Sequence, residues 1–502
     1  MTPPAGNARE RGTVSMTGVM AQSVGFMGPV FSVATLLPLI VGLSATGHGA
    51  GVATPVAIVI AGVGIFGAGW IIAQYARRIH LCGSLYEYIC DAFGPGVGVV
   101  AGWLYYGAML VLASATFLVL GGMTSDLLLS AFGLDVPWWQ PALVFVVIVV
   151  AVVVVGVQIS VRAQLALVLV SSAIILAFSI YIIAKGGAGG HSLSAQPLNP
   201  LAVAPMDLLY GVLYGINMFI GFESAANLAE ETDDPKRHIP RAVLWSLTIV
   251  GVYFVITAYA QAVGFGLDAQ AWKTSVFPLQ ALSNGAEFGS TWFGNVVAVL
   301  IILDVLAVAI GVGVAATRGM FAMARAGQLP ASLATLNSRR GTPVVGAAVV
   351  GAAAVGSIAL VVLADGVFPR DGADGASTPQ WAPMFGWMAG FAGTGLALIY
   401  LVVSCAGARG LWNEVSRVKL GFAAAAGTIV AAGAVFGALY KTPLTSLPWA
   451  LSLWILLGVA WSTYVARRRK QEPALPVPTD SGTPQPGTSP DTRNQPRGVG
   501  HL

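Results

Sequence analysis

The chain has 502 residues, 56% of them hydrophobic and only 9% charged, with a formal net charge of +4 and a mean hydropathy of +0.79. Soluble domains carry about 25% charged residues, so a soluble enzyme is excluded, and the lack of strand-like alternation excludes an outer-membrane barrel. Apolar runs recur from residue 17 to residue 466, each near the ~20 residues that a spanning helix needs, which leaves an all-α membrane protein.

Residues 1–16 are polar and read as a cytoplasmic N-terminus without a cleavable signal peptide. Twelve transmembrane helices are predicted, near 17–43, 52–75, 97–122, 140–157, 161–184, 206–229, 241–263, 292–316, 343–364, 383–404, 420–440 and 447–466. With this count, 21 of the 25 Lys and Arg fall on the face shared by both termini, and only Lys185, Lys273, Arg370 and Lys441 fall on the other. An excess of Lys and Arg marks the cytoplasmic side, so both termini are expected in the cytoplasm and the protein in the cytoplasmic membrane. Residues 467–502 begin with the basic run Arg467-Arg468-Arg469-Lys470, an anchor for lipid headgroups. Seven prolines then follow in a tail that cannot bury enough apolar surface to fold. Cys82, Cys90 and Cys405 lack metal-type spacing and read as reduced thiols.

Two spans contain interruptions. The first reads Ser23-Val24-Gly25-Phe26-Met27-Gly28-Pro29, and the sixth reads Tyr214-Gly215-Ile216-Asn217-Met218-Phe219-Ile220-Gly221-Phe222-Glu223-Ser224. Proline removes a backbone donor and clashes with the preceding turn, and irregular backbone at membrane depth is tolerated only inside protein or along a watery cavity. Breaks at matching places in two halves of a transporter point to its binding site. The first and sixth spans are five apart, which fits two inverted five-helix repeats, near 17–184 and 206–404, followed by two extra helices near 420–466. Together these form a twelve-span transporter domain over 17–466.

Within the spans, Glu223 and Asp304 are the acidic residues well away from the ends, and no Lys, Arg or His accompanies them. An ionisable group at mid-bilayer costs about 2.5 to 3.5 kcal/mol on insertion scales, so both need a reason. Asp304 is a candidate holder of a proton, a sodium ion or a substrate ammonium, and Glu223 is either architecture or a proton carrier. Two buried acids without a buried cation lean the cavity toward a substrate bearing an amine. Tyr105, Tyr106 and Asn217 are candidate polar groups near the cavity. The five His fall in loops or the tail, so no paired nucleophile and base or metal-ligand set marks an intramembrane enzyme. A channel or a sensor without coupled transport is the alternative of a different class.

The sixth-span string, with Ala229-Glu230-Glu231-Thr232 and Asp234-Pro235-Lys236-Arg237-His238-Ile239-Pro240-Arg241 after it, resembles the amino acid, polyamine and organocation permease superfamily. Gly83-Ser84-Leu85-Tyr86-Glu87-Tyr88 and Arg318-Gly319-Met320-Phe321-Ala322-Met323-Ala324-Arg325 support the resemblance. It implies secondary transport of an amino acid, or of a polyamine or other amine, by alternating access, with no cofactor beyond a coupling proton or sodium ion and no nucleic acid partner. It places substrate between the two breaks, at Gly25, Phe26, Met27, Gly28, Asn217, Ile220 and Gly221, with Phe219 as an aromatic gate. It also implies that the acidic loop after the sixth span closes the inner gate on basic residues such as Arg77 or Arg78. Ser171 and Ser172 stand where some proton-coupled members carry a lysine, so coupling is expected to pass through Asp304. One departure stands out. Members of the family hold the substrate carboxylate on free N–H groups of the first-span break, and Pro29 has none to offer.

Overall fold

A computed structural model describes residues 14–42, 49–275, 277–337, 340–367, 381–440 and 446–471. The expected disordered tail after residue 471 and most of the polar N-terminus lie outside the described residues. Among the described residues the fold is helical, with no strand beyond a single bridge between Val14 and Thr232.

Among the described residues, eleven helices are long and apolar enough to cross a membrane. They are α1 (Met16–Val41), α2 (Gly51–Tyr75), α3 (Pro95–Phe132), α5 (Gln158–Ala184), α6 (Pro205–Leu228), α7 (Pro235–Gly264), α8 (Thr291–Arg325), α9 (Val344–Ala364), α10 (Trp381–Gly410), α11 (Arg417–Leu439) and α12 (Leu447–Arg468). The shorter apolar helix Trp139–Val155 is α4. This is a multi-pass membrane protein. A short amphipathic helix, Leu85–Phe93, lies between α2 and α3.

Side-chain chemistry sets the ends. The Ser15 side chain accepts from the Gly18 N–H to start α1, and Ser290 does the same for Phe293 at the start of α8, each satisfying an orphan donor of the first turn. Helix α3 does not stop near 122 as expected. It runs to Phe132, where Gly133 at φ 66° closes it in a left-handed cap. Its last turns lost the apolar pattern at Thr124, Ser125 and Asp126 without losing helical backbone.

Helices α1, α3, α6 and α8 are the most enclosed, whereas α5, α9, α11 and α12 present most of their surface outward. Close approach of backbones rests on small residues: a Cβ at Gly67 would meet the Ala423 carbonyl oxygen at 2.6 Å, so α2 and α11 nearly touch.

Both expected breaks are present. Helix α1 is regular over Met16–Met27, turns at Gly28 (φ 56°) and restarts at Pro29. Its second half then widens into a π turn at Ser32–Leu36 ahead of Pro38, which cannot donate to the ladder. Helix α6 is regular over Pro205–Gly215, tightens into a 3-10 turn at Ile216–Phe219, turns at Gly221 (φ 110°) and resumes as a second 3-10 segment, Phe222–Leu228. The two breaks meet: a Cβ at Gly221 would stand 2.6 Å from the Phe26 ring. Below them, Ser23 Oγ donates to the Phe222 carbonyl (2.7 Å) and accepts from Ala225 N–H (3.2 Å), while Ser224 Oγ donates to the Gln22 carbonyl (3.2 Å). The first half of α1 and the second half of α6 are thereby laced into one unit.

Candidate substrate site

A cavity of about 380 Å³ borders both breaks. Phe26 and Met27 come from the end of the first half of α1, Phe31 and Ser32 from its second half, Asn217 and Ile220 from α6, and Val308 from α8. It continues past Leu36, Leu213, Phe385, Ala438 and Leu447, all on the face where α1 and α11 end and α6, α10 and α12 begin. The cavity therefore extends from the breaks toward the face opposite residue 14. Its wall is mainly apolar. Ser32, Tyr214, Asn217 and Thr394 are its polar side chains, and no Asp, Glu, Lys, Arg or His among the described residues lines it.

Four of the expected substrate residues, Phe26, Met27, Asn217 and Ile220, line this cavity. The others sit one layer back. Gly25 faces Gln164, whose side chain would stand 2.6 Å from a Cβ there, and Gln164 in turn donates to Gln22 Oε1 at 3.0 Å. Gly28 faces Val308 and Asp304, and Gly221 faces Phe26. Phe219 is packed edge-on against Phe254, with ring centroids 5.4 Å apart, over Gly62 and Gly251 rather than across the cavity. Tyr105 donates to Glu223 Oε1 at 3.2 Å.

The two buried carboxylates share one structural task. Asp304 Oδ2 accepts from the N–H groups of Val30 (3.0 Å) and Phe31 (2.9 Å), and Oδ1 accepts from Ser171 Oγ (3.0 Å). It caps the second half of α1 from a different helix. Glu223 Oε2 accepts from Gly221 N–H (3.2 Å) and Tyr400 Oη (2.9 Å), so it caps the second half of α6 from within. A helix N-terminus leaves unpaired N–H donors and a positive dipole end, and a carboxylate meets both. Ser171 was singled out in the sequence only as the place of a missing lysine, and its hydroxyl is a partner of Asp304. Tyr400, 177 residues from Glu223, gave no local signal at all.

The amino-terminal face is closed. Arg318 Nε donates to Glu231 Oε1 at 2.8 Å, with the Arg318 side chain only 4% exposed. Arg325 makes two hydrogen bonds to Glu230, which also accepts from Cys82 N–H at 3.2 Å. Burial alone would raise the Glu230 carboxyl, but the hydrogen bonds and charge of Arg325 bring it below its ordinary value. Val14 adds a backbone clasp, donating to the Glu231 carbonyl (2.9 Å) and accepting from Asp233 N–H (3.2 Å). The expected partners of the acidic loop are thus corrected. Arg78 pairs instead with Glu414 (3.1 Å) and Asp91 (3.7 Å), because the loop passes over the end of α8, where Arg318 and Arg325 lie one above the other seven residues apart.

A broken-helix pair, a cavity at the breaks and a closed opposite face are the outline of a carrier, and comparison with known proteins agrees. Residues 24–432 match the family model for amino acid permeases. The chain belongs to the amino acid permease family. Among similar proteins, the branched-chain amino acid permease BcaP of Bacillus subtilis (strain 168) is 24% identical over 320 residues, 60% of this chain and 66% of that permease. The low-affinity putrescine importer PlaP of Escherichia coli (strain K12) is 25% identical over 262 residues, 52% of this chain and 55% of the importer. The methylthioribose transporter of Bacillus subtilis (strain 168) is 26% identical over 321 residues, 59% of this chain and 64% of that transporter. The chain thus spans between about half and two thirds of these relatives. Membership indicates a transporter of small molecules rather than an enzyme.

Proposed function

We propose that this permease is a secondary active transporter of the cytoplasmic membrane, moving an amino acid or a related amine by alternating access. The observation that carries the reading is the asymmetry about the paired breaks: ion pairs and the Val14 clasp shut one face while the cavity runs from the breaks toward the other. On this reading all twelve helices cross the membrane. Helices α1–α5 and α6–α10 form inverted repeats, each opened by its broken first helix, and α11 and α12 are additions. The Lys and Arg excess makes the closed face cytoplasmic, so the cavity faces outward. Relatives named for branched-chain amino acids and for putrescine support the substrate range. The direct test is accumulation of labelled solute in proteoliposomes under an imposed gradient; binding without accumulation would point to a sensor instead.

Coupling to protons through Asp304 belongs to the same reading. A proton on Oδ1, which meets Ser171, changes the contact between α8 and α5 while Oδ2 keeps its two bonds to α1. Asp304→Asn is isosteric and does not titrate. Acceleration by external acid is expected of the parent and is expected to be lost in the variant, whose residual rate should be flat across the range in which buried carboxyls titrate, roughly pH 5.5 to pH 8. Full pH dependence in the variant would rule Asp304 out as the coupling site.

A further inference from the structure

The backbone donors at the α1 break can be accounted for one by one. Gly28 N–H goes to the Val24 carbonyl (3.2 Å), Pro29 has none, and Ser32 N–H goes to the Gly28 carbonyl (2.8 Å). Val30 and Phe31 N–H both go to Asp304. From Gly28 to Ser32 no N–H remains for a ligand. At α6 the N–H of Gly221, at the turn itself, is held by Glu223. The described lining of the cavity contains no Lys, Arg or His, so an entering carboxylate would find neither a free donor at the α1 break nor a cation. It would also meet the charge of Asp304, which is bonded to the cavity-lining Phe31.

We propose that the chain's own Asp304 occupies the place of a substrate carboxylate, and that the substrate is an apolar amine that carries no carboxylate. The proposal rests on the transporter reading and narrows its substrate class. The other halves of the broken helices suit a positive charge. Met16–Met27 and Pro205–Phe219 both end at the cavity, where Phe26, Met27, Asn217 and Ile220 line it. Helix C-termini carry the negative end of the dipole, and Asn217 adds an amide oxygen to the wall. The remaining lining, including Phe31, Leu36, Leu112, Leu213, Val308 and Phe385, suits an apolar body.

Matched pairs that differ by one carboxylate test this on the purified full chain: leucine with 3-methylbutylamine, phenylalanine with 2-phenylethylamine, and ornithine with 1,4-diaminobutane. A ligand that binds the native state raises the unfolding temperature according to its concentration over Kd. In at least one pair the amine is expected to half-saturate at a concentration at least tenfold lower than its amino acid. An amino acid that binds as tightly as its amine, or no response to any amine, overturns the proposal. Asp304→Ala empties the cradle and is expected to narrow the tenfold preference to threefold or less. Unchanged discrimination in the folded variant would overturn the assignment to Asp304, and if that variant does not fold the parent pairs still decide. Failure of the transporter reading looks different: an amine that binds selectively but is never accumulated by proteoliposomes leaves the specificity standing and removes transport.

Discussion

Gly28→Ala is expected to lose most of its transport and to unfold at a markedly lower temperature than the parent. Two terms add. At φ 56° an L side chain costs about 1–2 kcal/mol, and the new Cβ would stand 2.3 Å from Val308 Cγ2 and 3.2 Å from Asp304 Oδ2. Overpacking of that kind costs about 1–3 kcal/mol. The contact cannot be relieved by a flexible tip, since Val308 is β-branched, buried and part of the cavity wall. Moving it shifts α8 against α1 and disturbs the Asp304 cap. Gly25→Ala is the internal comparison: its new Cβ meets Gln164 at Oε1 (2.6 Å) and at Cβ (3.0 Å), so it also crowds its neighbour, but without a left-handed backbone, and the loss there is expected to be smaller. Thermal unfolding of both variants in detergent, with uptake in vesicles, decides the matter. A Gly28→Ala protein as stable and active as the parent would mean that the α1 turn is not the constraint the structure makes it.

The second large effect concerns the closed face. Arg318→Ala strands Glu231 beneath the loop, where Glu231 is only 17% exposed, and leaving one partner of a buried pair uncompensated costs about 3–5 kcal/mol. Arg325→Ala breaks a pair whose side chains are 44% and 28% exposed, and exposed pairs contribute about 0–1 kcal/mol. The two arginines lie on the same helix yet are expected to differ severalfold. Cys82 supplies the readout. It is buried, and its thiol lies against the Arg318 carbonyl at 3.8 Å, so opening of this face exposes it. In a background with Cys90 and Cys405 changed to Ser, an impermeant maleimide is expected to label Cys82 at least tenfold faster in Arg318→Ala than in the parent, with little change in Arg325→Ala. The exchanged pair Arg318→Glu with Glu231→Arg should restore slow labelling. Equal labelling in both single variants would show that Arg318 does not hold the face shut.

Much of the architecture was legible because membrane helices announce themselves by length and hydropathy, and the two breaks because Gly28-Pro29 and Gly221 interrupt apolar runs that are otherwise continuous. Helix ends were less legible. Past residue 122, α3 leaves the apolar pattern while its backbone hydrogen bonds continue, and composition cannot see that. Within the site, Phe26, Met27, Asn217 and Ile220 were found from their place in the breaks. The duty of Asp304 was not, and that of Glu223 was only one of two readings, architecture or a proton carrier. Their rarity marked them as important, but a cap supplied from 273 residues away along the chain, or a hydroxyl from Tyr400, has no local periodicity or spacing. The family resemblance linked the acidic loop to closure, but its partners depend on where α8 ends. That end, at Arg325, lies beyond the apolar run used to place the span.

The two resident caps also bear on the half of the cycle in which nothing is carried. A carrier whose break is completed by cargo must, when empty, reorient with bare N–H donors in a dry interior, which burdens the unloaded return and favours one-for-one exchange. Here the unloaded break is already complete at α1: Asp304 holds Val30 and Phe31. At the α6 turn, Glu223 holds Gly221. On the proposed alternating-access reading, a vacant carrier of this kind would come back alone, which is the kinetic requirement for net accumulation.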